Sequence, residues 1–239
     1  MAFQQIPRAP SFTDISYNKG MPKSAKLFLL GAGVFFLFVF FSYLVAREVL
    51  VQFDFDTTVK LQDNIPRRFD DPFSLLSDLG KFEVSIILLV VLLVITRKVI
   101  FGIAAFGLFG ALHLIELFGK NFVDQHPPPE FLIRTHKIID FPQFHVRSEF
   151  SYPSGHAARA AFLTVIAVFL ILNSKRLKKT HKYLLLGAIG VYDFFMFLSR
   201  PYLGEHWMTD VIGGALLGSS LALLATVFWK ISSLRKKSA

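Results

Sequence analysis

The sequence predicts an all-α fold: an integral membrane bundle of six transmembrane helices with both termini in the cytoplasm. Three observations predict it. Of the 239 residues, 53% are apolar and 18% charged, and 28 are Phe; soluble domains carry about 25% charged residues. The apolar residues fall in continuous blocks rather than at the spacing of a one-sided helix. The basic residues gather at alternate block ends, as the positive-inside rule requires.

A bilayer-spanning helix needs about 20 mostly apolar residues. Six blocks qualify, at about 27–46, 82–96, 99–118, 157–173, 183–199 and 210–231. The first, LFLLGAGVFFLFVFFSYLVA, has an apolar core longer than the roughly 7–15 residues of a signal-peptide core, so it is expected to be a retained span. The domain layout that follows is an N-terminal cytoplasmic tail (1–26), a six-span unit (27–231) and a basic C-terminal tail (232–239). Gly213, Gly214 and Gly218 on the last span are expected to let helices pack closely.

One set of flanks holds 15 Lys and Arg: Arg8, Lys19, Lys23 and Lys26; Arg97 and Lys98; Lys175, Arg176, Lys178, Lys179 and Lys182; Lys230, Arg235, Lys236 and Lys237. The opposite set holds 11, spread over longer loops, and its 47–81 segment also carries seven acids. The first set therefore reads as cytoplasmic. The formal charge of +9 is explained by these anchors, and nucleic-acid binding is not expected. The chain has no cysteine, which removes disulfide and thiol chemistry. It carries no signal for oligomeric state.

With this topology the polar residues at the span ends converge on the outer face. Lys120 closes the third span, Ser154, Gly155 and His156 open the fourth, Ser199 and Arg200 close the fifth, and His206 and Asp210 open the sixth. The set suits binding and cleavage of an anionic group. Lys and Arg neutralise phosphate oxygens. A helix start offers free N–H groups and partial positive charge, with Ser154 as a natural cap and Gly155 allowing close approach. Two histidines suggest a nucleophile and a general acid. His206 and Asp210, four apart, are expected to share a helix face, the carboxylate holding one ring nitrogen and freeing the other. Each piece alone has a plainer reading, as an interfacial His, a helix cap or a headgroup anchor. Glu116, one turn before Lys120, is in place for an ion pair with it.

Lys120, then PSGH at 153–156, then SRPYLGEHWMTD at 199–210 resembles the type-2 phosphatidic acid phosphatase superfamily, which includes lipid phosphatases and vanadium haloperoxidases. The resemblance spans about residues 80–230 and is to the membrane-bound branch. Of the three signatures, K-x6-R-P, P-S-G-H and S-R-x5-H-x3-D, the second and third are complete. The first departs: in KNFVDQHPPPEF the Arg position is Pro127. His126, Arg134 and Arg159 are the nearby candidates for the missing cation.

The resemblance implies a membrane lipid phosphatase acting on a lipid phosphate or diphosphate, through a phosphohistidine, without a metal or other cofactor. His206 would attack phosphorus, Asp210 would orient it, and His156 would protonate the leaving oxygen. Lys120, Ser154, Gly155 and Arg200 would hold the phosphate. The expected location is the plasma or inner membrane, multi-pass, with the site facing outward. Two alternatives stand beside it: a lipid phosphotransferase using the same site, and a non-enzymatic lipid-phosphate binder or transporter. The intramembrane His113, Glu116 and Asp193 invite the latter, His113 and Glu116 also as weak metal ligands. All three sit on spans leading into the cluster, so support of that cluster is the favoured reading.

Overall fold

A computed structural model describes residues 21–136 and 149–229. The 232–239 tail, residues 1–20 of the expected N-terminal tail and the last two residues of the sixth expected span lie outside the described residues. Among the described residues all regular structure is helical: α1 (Lys23–Ala46), α2 (Val51–Asn64), α3 (Asp70–Asp78), α4 (Phe82–Thr96), α5 (Val99–Phe122), α6 (Gly155–Asn173), α7 (Lys179–Tyr202) and α8 (Met208–Val227).

Helices α1, α5, α6, α7 and α8 are each long and apolar enough to cross a membrane. The second expected span differs. α4 has 15 residues, about 22 Å at 1.5 Å per residue, against a hydrocarbon core of about 30 Å. It makes a sixth crossing only together with the Arg67–Asp78 helix before it, from which it is bent by 52°. The bend falls at Leu79-Gly80-Lys81, where glycine lets the chain pass close to α6 and α7. A Cβ on Gly80 would stand 2.9 Å from His156 Cδ2 and 3.2 Å from Met196 Cε, and the Gly80 carbonyl accepts a 2.9 Å hydrogen bond from Arg159 Nε. The 47–81 segment, expected as a loop that either covers the site or merely connects spans, is mostly helical: α2 and α3 pack on the C-terminal part of the chain, α3 against α7 and α2 against α7 and α8.

α8 is the centre of the bundle. It lies against α6, α1 and α5, while α6 also receives α4, α5 and α7. The α6–α8 contact is close because of glycine. Ideal Cβ atoms on Gly214 and Gly218 would lie 2.3 Å from the Ser154 carbonyl oxygen and 2.0 Å from that of Ala158. Gly213 does the same for Tyr152, whose hydroxyl would be 2.3 Å away. Tyr152 is fully buried, stacks on Phe38 of α1 and shares a 2.8 Å hydrogen bond with Ser42. These glycines therefore set the depth at which the chain before α6 meets the start of α8. Elsewhere the surface is apolar, with Phe36, Ile103, Leu114 and Leu184 turned outward, as a helix wall facing lipid requires.

A buried polar joint fastens α2 to α8. Asp54 Oδ1 accepts from the Thr209 backbone N–H (2.8 Å) and Oδ2 from the Thr209 hydroxyl (2.5 Å). Gln125, just past α5, donates to the same carboxylate at 3.2 Å, and its carbonyl accepts both the N–H and the hydroxyl of Ser151. Burial pushes the Asp54 carboxyl up to about 6; the Thr209 bonds oppose that shift and nearby Asp210 adds to it.

Two outcomes test this packing. Gly218→Val should lower the unfolding temperature in detergent, since the added methyls meet backbone; overpacking costs about 1–3 kcal/mol. Gly187→Ala, where a Cβ meets nothing within 4 Å, should leave it unchanged. Asp54→Ala strands the buried Thr209 donors, a loss of about 1–3 kcal/mol, and Asp54→Asn, which keeps an acceptor, should recover part of it in the same measurement.

Candidate active site

The ends of four helices meet on one side of the bundle: the C-termini of α5 and α7 and the N-termini of α6 and α8. The chain alternates direction through these helices, so Lys120, the 153–156 segment, Arg200, His206 and Asp210 share one level as the sequence predicts. His156 lies within electrostatic range of Arg200, Arg159, His206 and Lys120.

The junction is a backbone bond. The Ser154 N–H donates to the Asp210 carbonyl at 2.9 Å, tying the start of α6 to the first turn of α8. Ser154 caps α6, its Oγ accepting from Ala157 N–H at 3.5 Å. Asp210 is fully buried, and its Oδ2 reaches back to the Trp207 N–H (3.0 Å) and to His206 Nδ1 (3.2 Å). The sequence places His206 and Asp210 on one helix face. In the structure His206 precedes α8, and the contact forms because Asp210, in the first turn, folds back over the helix start. Asp210 thus engages Nδ1 of the ring and not Nε2. Burial holds the His206 imidazole below its ordinary range, with Arg200 and Lys120 adding to the effect and Asp210 offsetting part of it. The turn that delivers His206 needs Gly204, at φ +70°, where a Cβ would stand 2.2 Å from the Leu132 carbonyl oxygen.

The cations are buried and matched. Arg200 is fully buried at the end of α7; its Nη1 bonds Ser77 of α3 and its Nη2 pairs with Glu205. Its Nε is buried with no hydrogen-bond partner among the described residues. Ser199, beside it, bonds the Met196 carbonyl at 2.7 Å and stays within α7. Glu116 holds two cations, Lys120 Nζ at 3.0 Å and Arg159 Nη1 at 3.1 Å, and also meets His113 Nδ1 at 3.3 Å. Gly155 matters for this arrangement: a Cβ there would lie 2.0 Å from Glu116 Oε1. The group that approaches Gly155 is an internal carboxylate.

Of the candidates for the cation missing at Pro127, the structure brings one into the cluster. Arg159 is buried one turn into α6, between Glu116 and Gly80. The His126 side chain is 81% exposed and sits 3.6 Å from Asp124. Arg134 lies over the Tyr202 ring. Glu116 joins the cluster, and His113 reaches it only through Glu116. Asp193 does not: it accepts a 2.9 Å bond from Thr164 across the α6–α7 contact. Sequence reasoning missed Ser77, Gly80 and Asp54, which the bent 47–81 segment carries in, and it missed Glu205. Only Glu205 has a local signal, since it lies between Arg200 and His206 in the third signature.

Comparison with known proteins agrees with this architecture. Residues 95–233 match the PAP2 superfamily. The chain is 35% identical over 143 residues to phosphatidylglycerophosphatase B of Bacillus subtilis (strain 168), covering 59% of this chain and 64% of that relative. It is 28% identical over 162 residues to undecaprenyl-diphosphatase of Sulfolobus acidocaldarius, covering 67% and 71%. The crystal structure of the transmembrane PAP2-type phosphatidylglycerolphosphate phosphatase from Bacillus subtilis superposes with a TM-score of 0.66 at 25% identity, over 84% of this chain and 96% of that one. With all its regular structure helical among the described residues, its membrane-length helices, and two complete signatures joined at the Ser154–Asp210 bond, this chain belongs to the PAP2 superfamily as a multi-pass membrane protein.

Proposed function

We propose that the chain is a membrane lipid phosphatase that hydrolyses a phosphate ester or diphosphate of a lipid through a phosphohistidine, at the outer face of the membrane. The observation that carries this reading is the pairing of His206 with the buried Asp210 beside three buried or half-buried cations, Lys120, Arg159 and Arg200. The relatives named above as phosphatases support it, and so do the basic flanks on the opposite side of the bundle.

The geometry suggests a two-step displacement. Asp210 fixes the His206 tautomer, and Nε2 attacks phosphorus. Lys120, Arg159 and Arg200 offset charge on the phosphate oxygens, and the N-terminal amides of α6 at Gly155 and His156 point toward the same anion. His156 gives a proton to the departing lipid oxygen, then takes one from the water that cleaves the phosphohistidine, so the proton count closes over the cycle. Arg159 stands in for the Arg absent at Pro127. It comes from a helix rather than a loop, with Gly80 and Glu116 fixing its fork.

Phosphate release from a panel of lipid monophosphates and diphosphates by purified protein tests the reading. His206→Ala should lower turnover by roughly a thousandfold or more, the scale of losing a nucleophile; full activity in that variant would sink the mechanism. His156→Ala should lose roughly a hundredfold or more on lipid substrates, and much less on a nitrophenyl phosphate whose leaving group needs no proton. Because burial favours neutral His206, the acid limb of kcat/KM should fall below the ordinary histidine value of 6.5. A limb above that value contradicts a His206 imidazole held below its ordinary range by burial.

A further inference from the structure

Each cation of the cradle is already met by a carboxylate. Lys120 and Arg159 share Glu116, and Arg200 has Glu205. The two acids are built differently. Glu116 is buried, wedged over Gly155 and held by three side chains. Glu205 lies in the turn between α7 and α8, directly before His206, with its side chain 27% exposed. Thr135 donates to its Oε1 at 2.5 Å, which aims Oε2 at Arg200. Its backbone N–H bonds the Arg200 carbonyl at 3.2 Å, so the carboxylate keeps its place as the turn keeps its shape.

A carboxylate on a guanidinium occupies the fork that a phosphate would use. An anion binding Arg200 can use the buried, unpartnered Nε, but must share or displace Glu205 at Nη2. A phosphate monoester brings about −1.5 to −2 charge at pH 7, and a diphosphate adds a further anionic phosphate. Three cations offset by two fixed acids suit the smaller charge. The accessible acid of the two is the one whose repulsion a second phosphate must meet, and specificity built on repulsion needs such a group.

We propose that Glu205 is a specificity-determining residue that holds Arg200 in the empty site and biases the enzyme toward phosphate monoesters over diphosphates. The proposal rests on the phosphatase reading for its substrate, but its binding test does not depend on turnover. The test compares wild type with Glu205→Gln, Glu205→Asp and Thr135→Val, using a prenyl monophosphate and the diphosphate of the same chain, alongside calorimetric binding of inorganic phosphate and pyrophosphate. Glu205→Gln should raise the diphosphate-to-monophosphate ratio of kcat/KM roughly fivefold, the scale of one screened charge contact, mainly through KM. It should also tighten pyrophosphate binding more than phosphate binding. Glu205→Asp should keep the wild-type preference, and Thr135→Val should move it in the Gln direction by less. An unchanged ratio in Glu205→Gln, with kcat falling equally on both substrates, would show that Glu205 only supports the His206 turn and would overturn the proposal. If wild type released phosphate from neither lipid, the phosphatase reading would fail, and the phosphate and pyrophosphate affinities would still decide the role of Glu205.

Discussion

The structure depends on how closely α6 can approach α8. Gly214 and Gly218 leave no side chain between the helices, so the backbone carbonyls of Ser154 and Ala158 lie about where the Cβ atoms of other residues would stand on α8. At that separation the Ser154 N–H reaches the Asp210 carbonyl. Two signatures far apart in the chain thereby become one site through main-chain geometry alone. In lipid, small residues at a helix interface give this kind of contact because association rests on close packing rather than on hydrophobic burial. The same approach buries Asp210, and burial makes its hold on His206 firm.

The second constraint is charge. Three buried or half-buried cations at the ends of membrane helices are costly unless each has a partner, since removal from water costs several kcal/mol per ion. Glu116 balances two of them and uses the space that Gly155 leaves. Arg200 is balanced by Glu205 and by the Ser77 hydroxyl. The cluster is thus a network of paired charges, with the Arg200 Nε as a buried donor that has no hydrogen-bond partner among the described residues. An anion entering such a network meets carboxylates already paired with the cations, which is the ground of the Glu205 proposal.

Much of this was legible in the sequence because the membrane forces simple patterns. Apolar blocks of spanning length, and motifs falling at alternate block ends, were enough to place Lys120, His156, Arg200, His206 and Asp210 together. Arg159 was legible as one of three candidates once Pro127 was seen in the Arg position. The choice among them needed depth: Arg159 lies on a buried helix face, whereas His126 sits on the surface. What the sequence hid was the 47–81 segment. Its acids and scattered apolar residues left it a loop that either covers the site or merely connects spans. Yet Asp54 is buried because its partners, Thr209 and Gln125, are about 155 and 71 positions away, and no local spacing encodes such a contact. The bend before α4 was hidden for a related reason: Gly80 marks a break in the sequence, but the groups it passes closely, His156 and Met196, lie far along the chain.

That bend also explains why a span as short as α4 is tolerated. A straight helix from Asp70 to Thr96 would carry Gly80 away from α6 and leave both the Arg159 Nε and the Arg200 Nη1 without their partners at Gly80 and Ser77. By breaking there, the chain trades part of a crossing for two buried hydrogen bonds to cations. A neutral acceptor on a buried guanidinium contributes about 1.5–3 kcal/mol, and losing one exposes the remaining charge to the full cost of burial. The segment between α1 and α4 is therefore part of the polar cluster, to which Gly80 and Ser77 bring the acceptors for Arg159 and Arg200.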